Sequence, residues 1–459
     1  MPNTCVFTIV SKNYLHFARA LMESVKAVAP DVARVVALCD RFDFYNPESE
    51  IFTVIAVEEL NIPQFEELTI RSTIVELNTA VKPFVFANLY SNNHYRKLIY
   101  FDPDILIYGS LEPMRALLDK YNILLTPHIT EPVIGSTTPS ELDIIQSGTY
   151  NLGFIALRCN ERTLEFLDWW KAHLLTDCII DKERGIFLDQ KWIDLAPGMF
   201  EGVRVVRDPG WNVAYWNLRQ RVVVQKNSCY FVNEKPLVFF HFSGFRPLDR
   251  VFSAHNNSYE FESLPTAVQT IIDDYRIRLQ DHGADITRHY RYAFASRPDG
   301  VWLPDIVRQA YRRNKIYMQN IGPQHREFYA KLLAVLSEPA NIAGRSNALI
   351  SRIGHEIYLA RPEIREAYPD LFANDAEGFA KWYVESVERE YQLPSELVTP
   401  VKQILEMQHD GKHRNIGSRV LTSLLNMMDR SDRLRRIVVK LTSKRVRHKL
   451  RFFLLKFDR

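Results

Sequence analysis

The stretch that most constrains this chain is Arg96-Lys97-Leu98-Ile99-Tyr100-Phe101-Asp102-Pro103-Asp104-Ile105-Leu106-Ile107-Tyr108-Gly109. Leu98–Phe101 is an apolar, aromatic and β-branched run, which predicts a buried strand. Two unpaired carboxylates cannot be buried along with it, because their desolvation costs too much. Asp102 and Asp104 are therefore expected where the strand leaves the core, facing water, a cation or a polar ligand. Pro103 fits a strand end, since it fixes φ and has no N–H to give to a ladder. Acidic pairs also occur in turns that do no more than face water. Here the apolar runs on both sides favour a placed pair, suited to a divalent cation held by few protein ligands with phosphate oxygens completing its shell.

The surrounding pattern is α/β. Residues 5–10 read as a strand, Ser11-Lys12-Asn13-Tyr14 as the loop at its carboxyl end, and Leu15, Ala18, Leu21, Met22 and Val25 recur at helical spacing. Residues 34–40 and 52–56 are further strands, so the chain opens with a βαβ unit and a largely parallel sheet flanked by helices. Such sheets bind ligands beyond their strand carboxyl ends, where Asp102-Pro103-Asp104 falls. Residues 65–93 are helical in pattern with an interruption at 81–86, and Lys82, just before Pro83, is expected to project into the crevice at a kink. Residues 122–128, 151–157 and 236–244 read as strands, 161–175 as a helix, and 131–140 as a loop.

The length of 459 residues makes two domains the default. A first boundary is placed near 255, giving a catalytic α/β domain over 1–255. Helical segments follow at 264–281, 303–314, 325–338, 347–359 and 376–391, so 256–410 reads as a mainly helical accessory or acceptor-side domain. The remainder, 411–459, is a basic amphipathic tail. It carries 15 Lys/Arg against 3 Asp/Glu, a net of +12, so with a total of +3 the preceding residues carry −9. A basic tail on an acidic body localises more than it folds. Its interleaved Leu, Ile, Phe and Arg suit an anionic membrane surface, with a solvated basic helix or an oligomer contact as the alternatives. No reader motif for nucleic acid accompanies it.

The 5 cysteines are scattered, without CxxC spacing, which suits a reducing compartment and gives little sign of zinc. No signal-peptide pattern and no long uncharged span is present. A cytoplasmic protein is expected, peripheral at the inner face of the cytoplasmic membrane if the tail docks there.

Other segments carry polar groups beside apolar runs. His241 ends an apolar strand and precedes Ser243-Gly244, whose backbone N–H groups suit a phosphate; imidazole is a natural third ligand beside two carboxylates. Alone, such a residue is more often a satisfied histidine at a strand end. Asn151 with Gly153, and Asp189 with Gln190, can hydrogen-bond sugar hydroxyls or simply serve turns. Asn212, Tyr215 and Trp216 suit a sugar-stacking wall, although aromatics at this density are more often core.

Taken in order, Tyr100-Phe101-Asp102-Pro103-Asp104, Asn151-Leu152-Gly153-Phe154, Asp189-Gln190 and His241-Phe242-Ser243-Gly244 resemble the motifs of a GT-A nucleotide-sugar glycosyltransferase. The likeness covers roughly residues 3–250 and is greatest to the retaining glycosyltransferase family 8 group and its bacterial surface-polysaccharide relatives. It implies a GT-A, Rossmann-like fold with a helical C-terminal region. It also implies a Mn²⁺ or Mg²⁺ ion on Asp102, Asp104 and His241, and a nucleoside-diphosphate sugar, UDP-linked by preference, as donor. By the same resemblance Asp102, Asn151, Gly153, Lys82, Gly244 and Arg246 are donor-side residues, Arg246 standing where the family carries a phosphate-contacting lysine. Asp189 and Gln190 match the catalytic pair, and the acceptor is a glycan or lipid-linked sugar. Asn212, Tyr215 and Trp216 remain acceptor-side candidates from their residue types alone.

Retention is expected, with Gln190 positioning the reactants, because an amide is a poor proton acceptor; inversion requires a carboxylate at the acceptor hydroxyl, and Asp189 and Asp194 keep that open. Two other classes compete. A metal-dependent phosphohydrolase acting on a nucleotide-type substrate also uses such acids, but wants more ligands and a second ion. A non-catalytic carbohydrate-binding protein explains the aromatics but not the placed acids.

Overall fold

The computed structural model describes residues 2–93, 95–133, 135, 138–246, 251–255, 259–297, 300–318, 321–325 and 327–413. The basic tail from 414 onward lies outside the described residues. The chain divides into two compact units, one of residues 1–312 with 320–329, the other of 313–319 with 330 onward. The sequence-based boundary near 255 thus falls within the first unit: the helix Thr266–Asp281 buries Val268, Ile271, Ile272 and Tyr275 against Phe240, Phe242 and Phe245.

The first unit is built on the strands β1 (Thr4–Val10), β2 (Ala33–Leu38), β3 (Thr53–Ala56), β4 (Lys97–Phe101), β6 (Ile123–Pro127) and β7 (Tyr150–Arg158), with Val203–Val205 at one edge. Strand β5 (Ile105–Ile107) stands outside this sheet. From that edge the seven strands run Val203–Val205, β6, β7, β4, β1, β2, β3. All neighbours are parallel except β7, which is antiparallel to both β4 and β6. This mainly parallel sheet with helices on its faces, followed by a mainly helical region, is the fold class expected from sequence.

Every residue of β1 is buried, as a central parallel strand covered on both faces requires. Side-chain alternation sorts the core into two layers. Cys5, Phe7 and Ile9 of β1, Leu98 and Tyr100 of β4, and Leu152, Ile155 and Leu157 of β7 lie in one. Val6 and Val10, Ile99 and Phe101, and Phe154 and Ala156 lie in the other, beneath α1 (Leu15–Val28). The first layer is closed by α2 (Phe65–Arg71), α3 (Ile74–Ala80) and α4 (Lys82–Asn93). A capping box starts α3: Glu76 N–H donates to Thr73 Oγ1 at 3.3 Å, and Thr73 N–H donates to Glu76 Oε2 at 2.8 Å. Pro83 makes no kink. It stands in the first turn of a new helix, where its missing N–H costs nothing, and Lys82 begins that helix.

The second unit, among its described residues, holds the helices Arg352–Ala360, Pro362–Ala367, Ala376–Tyr391 and Ser395–His413, together with a hairpin of Pro339–Ile342 and Arg345–Ser351. The hairpin corrects the single helix expected over 347–359. Ala343 (φ 52°) and Gly344 (φ 80°) form a tight two-residue turn with both φ values positive. Ala-Gly lacks the usual asparagine or aspartate of such turns, so its signal is weak. Ser351 then caps the following helix, its Oγ accepting from Gly354 N–H at 3.1 Å. No helix among the described residues is long and apolar enough to cross a membrane.

Phe154 joins the layer under the sheet's carboxyl edge, meeting Phe101, Trp211 and Phe239 at 5.2–5.7 Å between ring centroids. Phe154→Ala is expected to cost about 3–5 kcal/mol, the usual range for emptying such a site. Urea titration followed by tryptophan fluorescence measures it; a loss under about 1 kcal/mol contradicts this packing.

Candidate active site

Asp102 and Asp104 stand in the turn between β4 and β5, just past the carboxyl end of β4. The turn is fixed by backbone: Asp102 N–H donates to Gly153 O at 2.7 Å and Ile105 N–H to Asp102 O at 3.2 Å. The strand Phe239–His241 pairs antiparallel with β5, setting His241 opposite Ile105, and Phe242 N–H donates to Asp104 O at 2.8 Å. Residues far apart in sequence are thereby clamped side by side. His241 Nε2 lies 3.1 Å from Asp104 Oδ1 and 3.9 Å from Asp102 Oδ2. One ligand atom from each of the three residues lies within 4.8 Å of the others, the one such group of acids, histidines or cysteines among the described residues.

The far side of the imidazole settles which nitrogen faces the acids. His241 Nδ1 lies 3.2 Å from Asn151 Oδ1 and 3.3 Å from Asn212 Oδ1, both acceptors in the hydrogen-bond network that fixes the amide orientations. Nδ1 therefore faces the amide oxygens and Nε2 is the ring atom turned toward Asp102 and Asp104. Ligating histidines have this support behind them. The amides are themselves held. Asn212 Nδ2 donates to Thr126 Oγ1 at 2.8 Å and to Asn151 Oδ1 at 3.0 Å, and Asn217 Nδ2 donates to Asn212 O at 2.9 Å. Asn212 takes a positive φ of 54° and is fully buried. It stands behind His241 and not on an exposed acceptor wall, the place its residue type had suggested.

Gly153 is required for close approach. A Cβ there would lie 2.3 Å from His241 Cε1 and 2.8 Å from Nδ1. The imidazole seats directly over it.

A second charged group adjoins the first. Lys82 Nζ donates to Asp189 Oδ2 at 2.6 Å and to Leu152 O at 2.9 Å, and lies 4.3 Å from the centre of the Tyr100 ring. Tyr100 OH donates to Asp102 Oδ1 at 2.6 Å. Lys82 and Asp189 are buried, so removing either strands the other's charge. Gln190 is tied to backbone, Oε1 accepting from Leu152 N–H at 3.1 Å and Nε2 donating to Ser147 O at 2.8 Å. Gly244 has φ 72° in the turn after Phe242, with its O accepting from Ala254 N–H at 2.7 Å. Arg246 is exposed and held through its backbone N–H to Val251 O at 3.3 Å; among the described residues it has no contact with the triad. Tyr215 and Trp216 line a separate pocket, and Trp216 meets the His241 ring edge-on at 5.2 Å between centroids.

Burial is the largest influence on Asp102 and raises its pKa; Lys82 opposes this and Asp104 adds to it. Burial likewise raises Asp189, against the pull of Lys82. Desolvation of the His241 ring lowers its pKa, but Asp104 and Asp102 outweigh it and the net direction is up. Two negative groups crowding one imidazole form a natural cation seat, and their donor set of two carboxylate oxygens and one nitrogen fits Mn²⁺ or Mg²⁺.

A cleft of about 400 Å³ opens beside the acids, lined by Ser11, Asn13, Tyr14, Asn78, Tyr100 and Asp102 among others. Sequence reading missed Asn13, Asn78 and Tyr100. The first two stand on separate elements, a 3-10 turn after β1 (Lys12–Tyr14) and the helix α3, and no spacing links them. Asn78 Nδ2 is spent on Ser11 Oγ (2.8 Å) and Ile74 O (2.7 Å), whereas Asn78 Oδ1 and Asn13 Oδ1 are buried without a hydrogen-bond partner among the described residues. In the cleft wall these two carbonyl oxygens are open to a hydrogen-bond donor.

No family model matches the chain. Over 250 residues, 52% of its length, it is 29% identical to the uncharacterized protein YfnF of Bacillus subtilis (strain 168), of which 80% is covered. It is 25% identical to YfnD of the same organism over 244 residues, 52% of this chain and 76% of that one. Among the solved structures to which the chain is similar are two glycosyltransferases. The galactosyltransferase LgtC, in complex with donor and acceptor sugar analogs, matches 60% of this chain and 95% of its own at 12% identity and a TM-score of 0.34. The glycosyltransferase GlyE of Streptococcus pneumoniae TIGR4 matches 62% of this chain and 64% of its own at 13% identity and a TM-score of 0.33.

Two outcomes follow from the site's geometry. Gly153→Ala is expected to keep the far-UV circular dichroism but weaken Mn²⁺ binding by about 10–100-fold, the usual effect of displacing a ligand's support; electron paramagnetic resonance titration reads it, and unchanged affinity rules out the close seat. The second concerns His128, which is buried with its pKa lowered to about 4 by desolvation. Its Nδ1 lies 3.4 Å from Thr149 O, and its Nε2 lies 3.4 Å from Asn151 Nδ2. Its folded pKa is below the unfolded value, so the neutral ring's contribution is complete above about pH 6.5 and is lost as pH falls toward about 4. Relative to wild type, His128→Gln should lose less stability over that window, by up to about 1.4 kcal/mol per pH unit. Parallel urea profiles for the two proteins across that window would show the idea to be wrong.

Proposed function

We propose that the chain is a metal-dependent glycosyltransferase that moves a hexose-type sugar from a nucleoside-diphosphate sugar, UDP-linked by preference, to a glycan or lipid-linked acceptor with retention. The observation that carries this reading is the convergence of Asp102, Asp104 and His241 at the carboxyl edge of a mainly parallel sheet, beside a nucleotide-sized cleft. When bound there, Mn²⁺ or Mg²⁺ supplies counter-charge for the departing diphosphate.

The chain's own residues do the rest. Asp102 and Asp104 offer carboxylate oxygens to the ion, and Tyr100 holds the Asp102 carboxylate in place. His241 offers Nε2, the nitrogen turned toward both acids, while Asn151 and Asn212 hold the ring from its Nδ1 side. Asn13 and Asn78 present buried carbonyl oxygens to the N–H of a base or the hydroxyls of a ribose, and Tyr14 offers a half-exposed ring at the cleft rim. Asp189, paired with Lys82, accepts hydrogen bonds from donor-sugar hydroxyls, and Gly153 and Asn151 form the floor. Gly244 and Arg246 reach the donor phosphates in this reading.

Both carboxylates suited to act as an inverting base are already engaged. Asp189 pairs with Lys82, and Asp194 accepts from Lys191 Nζ and from Thr149 N–H, each at 2.7 Å. Gln190 is an amide fastened to backbone. This supports retention, with Gln190 positioning the reactants and the acceptor's proton passing to a phosphate oxygen of the leaving group. The helical region after the α/β body serves as an accessory or acceptor-side region, and the basic tail places the enzyme at an anionic membrane surface where lipid-linked acceptors are found.

Calorimetry with UDP separates this from a phosphohydrolase. The expected result is UDP binding that requires Mn²⁺. Asp104→Asn should lower sugar transfer, or donor hydrolysis in the absence of acceptor, by at least about a hundredfold, the scale on which removing one preorganised charge-stabilising group acts. Metal-independent UDP binding, or release of inorganic phosphate as the main product, overturns it.

A further inference from the structure

The helix Asp305–Asn314 belongs to the first unit as far as Arg312, although its place in the sequence suggested an accessory or acceptor-side role. Arg308 and Arg312, one turn apart on that helix, reach the joint between α2 and α3. A helix leaves its last carbonyls without intrahelical partners, and they need donors when buried. Arg308 Nη1 donates to Thr69 O (2.6 Å), Ile70 O (3.2 Å) and Ser72 O (3.1 Å), and its Nη2 donates to Phe294 O at 2.6 Å. Arg312 Nη1 donates to Arg71 O at 2.6 Å. Every carbonyl from Thr69 to Ser72 therefore accepts from a guanidinium.

Arg312 also grips the far side of the joint. The same Nη1 lies 2.7 Å from Glu76 Oε2, the oxygen that accepts from Thr73 N–H in the capping box of α3. Arg308 and Glu76 are both buried. A planar fork of donors serves several carbonyls at once, which an ammonium cannot match, and positive charge suits the carboxyl end of α2.

What this clamp holds is a wall of the donor cleft. Ile74, Val75, Asn78 and Thr79 of α3 line the cleft together with Asp102. A helix as short as α3 has little rigidity of its own, so its place follows from how its first turn is anchored. The metal ligands stand on other elements, the turn between β4 and β5 and the strand Phe239–His241.

We propose that Arg308 and Arg312 are positioning residues for the donor: they fix α3 so that Asn78 and its neighbours meet the nucleoside, independently of the metal seat. The inference rests on the transferase reading. It gives a donor-side role to two residues that lie outside every motif of the sequence.

The test uses the full chain, with UDP and Mn²⁺ followed by calorimetry and Mn²⁺ alone by electron paramagnetic resonance. Arg312→Ala is expected to weaken UDP–Mn²⁺ binding about tenfold, well within the cost of a misplaced binding wall. Affinity for Mn²⁺ alone should stay within about twofold, as for a distant, independent site. Arg312→Lys keeps a donor for Glu76 and should recover most of the loss. Arg308→Lys keeps the charge but not the fork, and should weaken UDP binding as Arg312→Ala does. The readout that a merely structural role would not move is coupling to Asn78. Asn78→Ala removes the side chain that the clamp positions, so in that background Arg312→Ala should cost no more than about twofold. Equal losses in the two backgrounds, or an Arg312→Ala variant within about twofold of wild type, overturn the positioning role. So does a parallel loss of Mn²⁺ affinity, which marks general unfolding. A wild type that does not bind UDP with Mn²⁺ instead brings down the transferase reading itself, so the two failures are distinguishable.

Discussion

The antiparallel pairing of Phe239–His241 with Ile105–Ile107 is the interaction on which this site depends. Two acids at the end of a parallel strand are only a local concentration of negative charge. That short ladder brings in an imidazole from more than a hundred residues away and sets its Nε2 at 3.1 Å from Asp104. Every residue of both segments is buried. Their side chains pack, and a shift of one residue would turn His241 away from the acids and set Phe240 or Phe242 in its place.

Around that pairing the structure spends polar groups on orientation. Asn151, Asn212 and Asn217 are all buried, and each amide is committed to another side chain or to backbone in the same network. Networks of this kind are costly when incomplete and rigid when complete. The reversed direction of β7 is what makes the network possible. An antiparallel strand delivers its beginning, with Asn151 and Gly153, to the same edge at which β4 ends with Asp102.

The Lys82–Asp189 pair is a second centre, joined to the first through Tyr100. Its partners come from the start of α4 and from the segment just before Gln190. A buried ion pair adds little net stability, yet it fixes geometry, because neither charge can move without exposing the other to an apolar surrounding. The residues around Asp102 and those around Asp189 are thereby held by one continuous set of contacts.

Much of this was legible in the chain itself. Strand periods, the βαβ opening and the apolar runs flanking Asp102 and Asp104 fix the sheet and the place of the acids at its edge, because alternation and desolvation are local properties. The resemblance of four motifs in order named Asn151, Gly153, Asp189, Gln190 and His241. Tertiary structure alone decided what those residues do to one another: that Asn212 backs His241 instead of facing solvent, that Lys82 is paired, that Asn13 and Asn78 share a cleft, and that Trp216 meets the His241 ring edge-on. It also decided that 345–351 is a strand, since a turn of Ala343-Gly344 needs positive φ that its residue types only weakly announce. Periodicity reports which face of an element is buried. Which partner covers that face depends on long-range contacts, and no spacing along a chain encodes them.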